Sequence, residues 1–166
     1  MNAKIWKAIT AVGLASVLAL FLIHSASARP DTDQDHGKLV GTWVVTVTQH
    51  NCSTGVQVGP PFESLLTFND GGTMTETTSN SMFFPALRGP GHGFWNRTGH
   101  MTYDAASLAF ITANGVLTQT QKISQTIELG NDRDSFTVSN ASVLFFDPAG
   151  TLVRTGCANA TGKRFE

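Results

Sequence analysis

The sequence has no cluster of positive charge. Its 166 residues include 11 lysines and arginines against 12 aspartates and glutamates, and only 14% of all residues are charged. Surfaces that bind nucleic acid, or that hold a membrane through basic residues, need lysines and arginines gathered on one face. We therefore expect no nucleic-acid partner.

Recognisable catalytic and metal-binding patterns are also missing. The chain contains no Ser/His/Asp order, no phosphate-binding glycine loop before a helix and no cysteine nucleophile motif. His36, His50 and His100 show no metal-ligand spacing with another histidine, cysteine or carboxylate. The sequence therefore predicts no metal and no cofactor.

Long apolar runs are absent except at the N-terminus. Lys4 and Lys7 precede an apolar stretch over residues 8–23, and Ser25-Ala26-Ser27-Ala28 follows with the small residues that a signal peptidase needs. The stretch is about 16 residues, whereas a membrane-spanning helix needs about 20. We predict a signal peptide over residues 1–28, cleaved after Ala28, and a periplasmic or secreted protein of bacterial type. The alternative is an uncleaved anchor, which would leave only the precursor attached to a membrane.

Helical periodicity is absent from the rest of the chain. Residues 29–39 are polar and acidic and are predicted to be a flexible leader, and residues 40–166 alternate polar and apolar side chains between turn signals. Asn114-Gly115 and Asp147-Pro148-Ala149-Gly150 are strong turn signals, and Asp104-Ala105-Ala106 is a third predicted turn. Consecutive hairpins without a crossover helix predict an all-β, eight-stranded antiparallel up-and-down β-barrel. The predicted strands are about Gly41–Gln49, Phe62–Phe68, Thr73–Thr78, Phe94–Tyr103, Ser107–Ala113, Val116–Leu129, Ser135–Phe146 and Thr151–Phe165.

One short motif at the start of the first strand resembles a known family. Gly41-Thr42-Trp43 follows the apolar pair Leu39-Val40 and is similar to the Gly-x-Trp signature of lipocalins and related calycin barrels. In that family the tryptophan packs at the closed end of the barrel against an arginine near the end of the last strand. The resemblance therefore implies a lipocalin-like barrel in which Trp43 packs against Arg164.

The positions of the two cysteines agree with a pairing of the first and last strands, which we call the seam of the barrel. In an antiparallel pair of strands, paired residues have a constant sum of numbers: Trp43 with Arg164 gives 207, and Cys52 with Cys157 gives 209. One bulge or a diagonal contact accounts for the difference. We predict a Cys52–Cys157 disulfide that joins the first and last strands, which an oxidising compartment permits. Two free thiols are the alternative.

Two connections are longer than the others, Cys52–Pro61 and Ser79–Gly93, and strand alternation places both at the end opposite Trp43. The apolar side chains of the second, including Phe84, are expected to form a lid over a cavity. The alternatives are that they cover the barrel end as core or are exposed. His92, between two glycines, is a candidate general base or ligand, or simply a turn residue.

Strand parity places several polar side chains inside the barrel. Glu76 is expected to pair with Arg97 on the neighbouring strand, because a buried charge needs a partner. Small residues on the last strand, from Gly156 to Gly162, are expected to leave space. The predicted ligand-binding residues are Met74, Glu76, Phe84, His92, Trp95, Arg97, Tyr103, Gln121 and Arg154.

These features favour an exported barrel that binds a small apolar or amphipathic molecule. A barrel enzyme that performs cofactor-free isomerisation or cyclisation in the same cavity is the alternative, with Glu76 as acid or base and Arg97 stabilising an oxyanion. A filled barrel with a structural or interaction role is a third possibility. Catalytic residues are not assigned.

Export and the disulfide can be checked on one sample. Because Ala26 and Ala28 form the cleavage site, the exported protein should begin at Arg29. Intact mass spectrometry of unreduced, alkylated protein should also show no alkylated cysteine. Retention of residues 1–28 or labelling of both cysteines would contradict the corresponding prediction.

Overall fold

The computed structural model describes residues 38–166, and these form a closed barrel of eight antiparallel strands in sequence order. The predicted signal peptide and residues 29–37 of the predicted leader lie outside the described residues. A 3-10 turn at Ser81–Phe83 interrupts the connection between β3 and β4. The strands are β1 Gly41–His50, β2 Phe62–Phe68, β3 Thr73–Thr78, β4 Leu87–Arg97, β5 Thr102–Ala113, β6 Val116–Leu129, β7 Ser135–Phe146 and β8 Leu152–Arg164.

Tight turns with specific local chemistry set the strand boundaries. Asn114 and Gly115 have φ values of 52° and 76°, the left-handed backbone that a two-residue hairpin turn requires. The Asp147 side chain accepts hydrogen bonds from the amides of Ala149 and Thr151 and so closes the turn between β7 and β8. The predicted bounds of β6 and β7 are confirmed. Both strands begin and end at turns whose residues are recognisable in the sequence.

The turn between β6 and β7 is closed by a carboxylate. Asp132 accepts hydrogen bonds from the Ser135 hydroxyl and from the Asp134 and Ser135 amides. The Ser135 hydroxyl, followed by the Asp134 amide, lowers the pKa of Asp132 below its ordinary value. This turn lies at the same end of the barrel as Trp43.

The predicted bounds of the fourth and fifth strands are wrong. β4 begins at Leu87 rather than Phe94, and β5 begins at Thr102, so that Asp104-Ala105-Ala106 lies within a strand. The actual turn is residues 98–101, closed by hydrogen bonds from the Thr98 and Gly99 amides to the Thr102 carbonyl. The glycines and proline of β4 suggested a loop, but the strand tolerates them at a β-bulge between Arg88 and Gly91.

The seam between β1 and β8 has the predicted register. Trp43 lies opposite Arg164, and His50 lies opposite Cys157. Beyond the last pair, Cys52 forms the predicted disulfide with Cys157 across a Cα–Cα distance of 5.2 Å. The bridge joins residues 105 positions apart, so it ties the start of the barrel to its end.

Arg164 closes the Trp43 end of the barrel. Its guanidinium carbon lies 4.3 Å from the centroid of the fully buried Trp43 ring. The same group donates hydrogen bonds to the carbonyls of Lys38, Val40 and Arg133 at 2.7–2.9 Å and to the Asp134 carboxylate at 3.1 Å. It therefore links β8 both to the segment before β1 and to the turn before β7.

Glycine at position 41 is required by this arrangement. Its φ is +132°, and a Cβ atom there would lie 2.8 Å from Nη1 of Arg164. The Gly-x-Trp motif thus provides both the ring under the guanidinium and the space through which the guanidinium reaches the backbone.

Large side chains fill the half of the barrel next to Trp43. Phe136 packs on Trp43 with ring centroids 5.0 Å apart, and Trp95 packs on Tyr103 at 5.8 Å. The largest fully buried side chains of the barrel are Trp43, Tyr103, Phe68, Phe136, Leu39, Ile127 and Val45. The expectation that the small residues of β8 leave space is wrong at Gly162, where the Phe136 ring occupies the volume of the missing side chain.

We predict that Arg164→Met destabilises the barrel by about 3 kcal/mol, because three backbone carbonyls lose a charged donor and the cation–π contact is lost. Lys163→Met is the matched control, since Lys163 is exposed on the outer face of the same strand. Urea unfolding of both variants measures the difference. Equal free energies of unfolding would show that the arginine does not hold the seam.

Candidate functional site

An internal cavity of about 60 Å³ lies in the half of the barrel away from Trp43. Its walls are mainly apolar, with small side chains on β7 and β8 where the other half has rings. The start of β4, the loop after β3 and inner-facing residues of the other seven strands line it. The lining residues are Val45, Val47, Gln49, Phe62, Ser64, Leu66, Met74, Glu76, Thr78, Asn80, Phe83, Arg88, Ser107, Gln121, Ile123, Gln125, Ala141, Val143, Ala158 and Ala160.

A buried polar network projects into this cavity. Arg88 forms an ion pair with Oε1 of Glu76, and their side chains are 2% and 7% exposed. The Ser107 hydroxyl donates to the same Oε1 at 3.0 Å. Nε of Arg88 donates to the side-chain oxygen of Gln121, and Nη1 donates to the Gly89 carbonyl. The two buried charges therefore compensate each other, and each is hydrogen-bonded as burial requires.

The partner of Glu76 differs from the prediction. Glu76 is inside the barrel as expected, but it pairs with Arg88 and not with Arg97. In β4 the odd-numbered residues 91, 93 and 95 face the interior. Regular alternation would therefore place the even-numbered Arg88 on the outer face. The register shift between Arg88 and Gly91 reverses the alternation, so Arg88 lies opposite the buried Ile111 and faces the interior.

Arg97 lies near the closed end, at the turn between β4 and β5. Its guanidinium donates hydrogen bonds to the carbonyls of Gly99 and His100 at 2.6 Å. Trp95 and Tyr103 are buried in the ring cluster of the closed half and do not line the cavity. The strand alternation correctly predicted that both side chains point into the barrel. They lie, however, in the half that aromatic rings fill.

Phe84 and His92 also lie away from the cavity. Phe84 is 84% exposed, and His92 is on the outer face of β4 opposite Leu108. His92 is not on a flexible rim, because the loop predicted over Ser79–Gly93 ends before β4 begins at Leu87. Of the predicted site residues, the structure brings Met74, Glu76 and Gln121 together around the cavity.

Of the aromatic side chains in the predicted lid, one covers the cavity. Phe83 faces the barrel interior and packs on Phe145 with centroids 6.5 Å apart, whereas the neighbouring Met82 and Phe84 are exposed. Asn80 precedes this turn and caps it, its side chain accepting from the Met82 amide. Asn80 and Phe83, together with Gln49 and Val143, line both the cavity and a second space at the mouth of the barrel, and so form the wall between the two.

A groove of about 320 Å³ lies on the other side of this wall. Arg154 lines it, and its guanidinium carbon is 3.7 Å from the Phe145 ring centroid. The disulfide also lines the groove, as does His50, whose Nδ1 is buried without a hydrogen-bond partner among the described residues. Arg154, predicted as a site residue, thus borders the groove and not the cavity.

The mouth of the barrel carries many exposed apolar side chains. They occur on the two long connections at this end, between β1 and β2 and between β3 and β4, and on the first residues of β4, β6 and β8. We call this set the apolar rim, which consists of Val56, Val58, Met82, Phe84, Leu87, Val116, Leu117, Leu152 and Val153.

Among residues 38–166, no three histidine, cysteine or acidic side chains are grouped closely enough to hold a metal ion. No helix in this part of the chain is long and apolar enough to cross a membrane.

We predict that Gly91→Ala lowers the free energy of unfolding by about 2 kcal/mol, because a Cβ atom there would overlap the carboxylate of Glu76. The matched control is Gly89→Ala on the same strand, where the nearest atom to a new Cβ would be 3.7 Å away. Thermal or urea unfolding distinguishes the two. A neutral Gly91→Ala would mean that the carboxylate has room to move and that the network is not tightly packed.

No protein-family model and no curated protein matches this chain. Among solved structures, a redesigned β-barrel is similar at a TM-score of 0.46 and 16% identity, over 80% of this chain and 96% of that one. The S-type phycobiliprotein lyase CPES from Guillardia theta is similar at a TM-score of 0.37 and 11% identity, over 78% of this chain and 90% of that one. At this level of identity the likeness concerns the barrel fold alone.

Proposed function

We propose that this protein is an exported barrel that binds a small amphipathic molecule in the half of the barrel away from Trp43. The observation that carries the proposal is a hydrogen-bonded polar network at the wall of an otherwise apolar cavity. Ligand sites have this composition, in which apolar walls bury the body of the molecule and a few fixed polar groups orient it.

The unequal filling of the two halves supports binding over a purely structural barrel. Near Trp43, aromatic rings fill the interior, whereas Ala141, Ala158 and Ala160 line the other half. Larger apolar residues at these alanine positions would bury more surface if stability were the only requirement. Retaining small side chains beside a buried ion pair suits a space that another molecule occupies.

The size of the cavity sets a condition on binding. About 60 Å³ exceeds the space of a water molecule but is below the roughly 300 Å³ of common ligand sites. Asn80 and Phe83 line both the cavity and the 320 Å³ groove. We propose that a ligand displaces Phe83 and occupies both spaces, with its polar end at the network.

The apolar rim supports access by this path. Exposed aliphatic and aromatic side chains surround the mouth, although most of them would gain by leaving water. A molecule with an apolar body could associate with Met82 or Phe84 before it passes Phe83. Phe84 would then act at the access route and not as a cavity wall.

Export and domain organisation are part of the same proposal. The Cys52–Cys157 bridge suits an oxidising compartment, and the signal-like segment over residues 1–28 would deliver the chain there. Removal of this segment would leave a short leader followed by one barrel domain over residues 40–166.

The residues of the cavity favour binding over the enzymatic alternative. Isomerisation or cyclisation without a cofactor requires at least one acid or base, and usually a partner that returns the proton. The lining residues include no histidine, cysteine or lysine, and Glu76 is already paired with Arg88. The network is therefore better suited to orient a ligand than to transfer its protons.

The proposal predicts saturable binding of N-phenyl-1-naphthylamine, a neutral apolar dye whose fluorescence increases in apolar surroundings. Ala158→Leu should weaken binding at least about tenfold, because the larger side chain occupies the cavity. Thr161→Leu is the matched control, since Thr161 is exposed on the outer face of the same strand.

Circular dichroism would verify that both variants are folded. Equal affinity of the wild type and Ala158→Leu would place the dye on the apolar rim and contradict the proposal. Native mass spectrometry of protein purified from its own host offers a second measurement, in which a retained small molecule is expected.

A further inference from the structure

We infer that the ligand is an uncharged molecule whose polar end is a hydroxyl group, held at the carboxylate of Glu76. This inference rests on the proposed function and specifies the class of ligand. Three observations carry it: the charge balance of the network, the hydrogen bonds of the Glu76 carboxylate and the orientation of the Gln121 amide.

The charge balance excludes ligands that bring a net charge. Arg88 is the one cation among the cavity-lining residues and Glu76 the one anion, and they form a buried ion pair. A ligand carboxylate would compete with Glu76 for Arg88 and leave one negative charge uncompensated. A ligand ammonium would add a positive charge beside a carboxylate that Arg88 already neutralises. Either excess charge is unfavourable in a largely apolar space.

The hydrogen bonds of Glu76 leave one acceptor for a donor from the ligand. Arg88 and Ser107 both donate to Oε1, and these are the hydrogen bonds that described residues make to this carboxylate. Oε2 of this buried side chain thus remains as an acceptor at the cavity wall. A buried carboxylate oxygen gains from a donor, and a hydrogen bond to a charged group is among the stronger ones.

The Gln121 amide offers the complementary group. Its oxygen accepts from Nε of Arg88, which fixes the orientation of the amide and leaves its NH₂ group as a donor. Gln121 is 4% exposed and lines the same cavity. A hydroxyl group donates one hydrogen bond and accepts others, so it can satisfy both the carboxylate of Glu76 and the amide of Gln121. An ether can only accept, and a carboxylate can only accept and is charged.

A series of eight-carbon probes tests this inference by displacement of N-phenyl-1-naphthylamine. The probes are 1-octanol, heptyl methyl ether, octanoate and octylammonium at neutral pH. We expect 1-octanol to displace the dye at about tenfold lower concentration than each of the others. The ether is the critical comparison, because it matches the alcohol in size and lacks only the donor.

The double variant Glu76→Gln/Arg88→Met tests the anchoring group. It removes both charges together, so that neither is left buried without a partner. The preference for 1-octanol over the ether should fall to less than about threefold, while the dye still binds. Glu63→Gln is the control, because Glu63 is exposed on the outer face of β2 and its loss should leave the preference unchanged.

The outcomes separate this inference from the proposed function. If the wild type does not bind the dye or any probe, the proposed function fails. If it binds the dye but octanoate, octylammonium or the ether displaces it as well as 1-octanol does, the binding function stands and the hydroxyl assignment is overturned. Unchanged preference in the double variant would also overturn it. If that variant does not fold, the wild-type probe series decides alone.

Discussion

Closure of the barrel depends on the contact between Trp43 and Arg164. Each of the other seven strand pairs is joined by a connection that limits its register, whereas β1 and β8 are joined by no hairpin. Their register must come from side chains. Arg164 supplies it at one end, by stacking on Trp43 and bonding to the backbone on both sides of the seam, and the Cys52–Cys157 bridge supplies it at the other.

The fixed seam explains why the interior is divided into two halves. Trp43 and Phe136 occupy the space above Arg164, and Gly162 has no side chain because the Phe136 ring requires that volume. Aromatic packing of this kind makes the closed end rigid and leaves no room for a ligand. The proposed ligand would therefore have to enter from the opposite end, where Ala158 and the Glu76–Arg88 pair line the space.

Most of the fold could be predicted from the sequence, because the relevant information is local. Turn residues mark the ends of β6 and β7, and alternation gives the inward positions of Met74, Glu76 and Gln121. The pairing of Trp43 with Arg164 was implied by the resemblance of Gly41-Thr42-Trp43 to the lipocalin signature, and the constant sum of an antiparallel pair showed that Cys52 and Cys157 agree with it. The bounds of β4 and the partner of Glu76 could not be predicted in this way, since a β-bulge changes parity without leaving a unique sequence signal.

The bounds of β4 and the partner of Glu76 were both missed because of the β-bulge in β4. The same bulge positions the residues of the candidate site. Glu76 turns inward beside β4 only where the neighbouring strand has no side chain, and Gly91 provides this space. The bulge before Gly91 contains Pro90, which has no amide hydrogen to contribute to the ladder, and it rotates Arg88 into the barrel. The start of β4 has the composition of a loop, yet it is the strand segment that brings Arg88 to Glu76. Glycines and prolines within a run of strands should accordingly be examined as points where the inward face changes, because a parity argument has to start again after each of them.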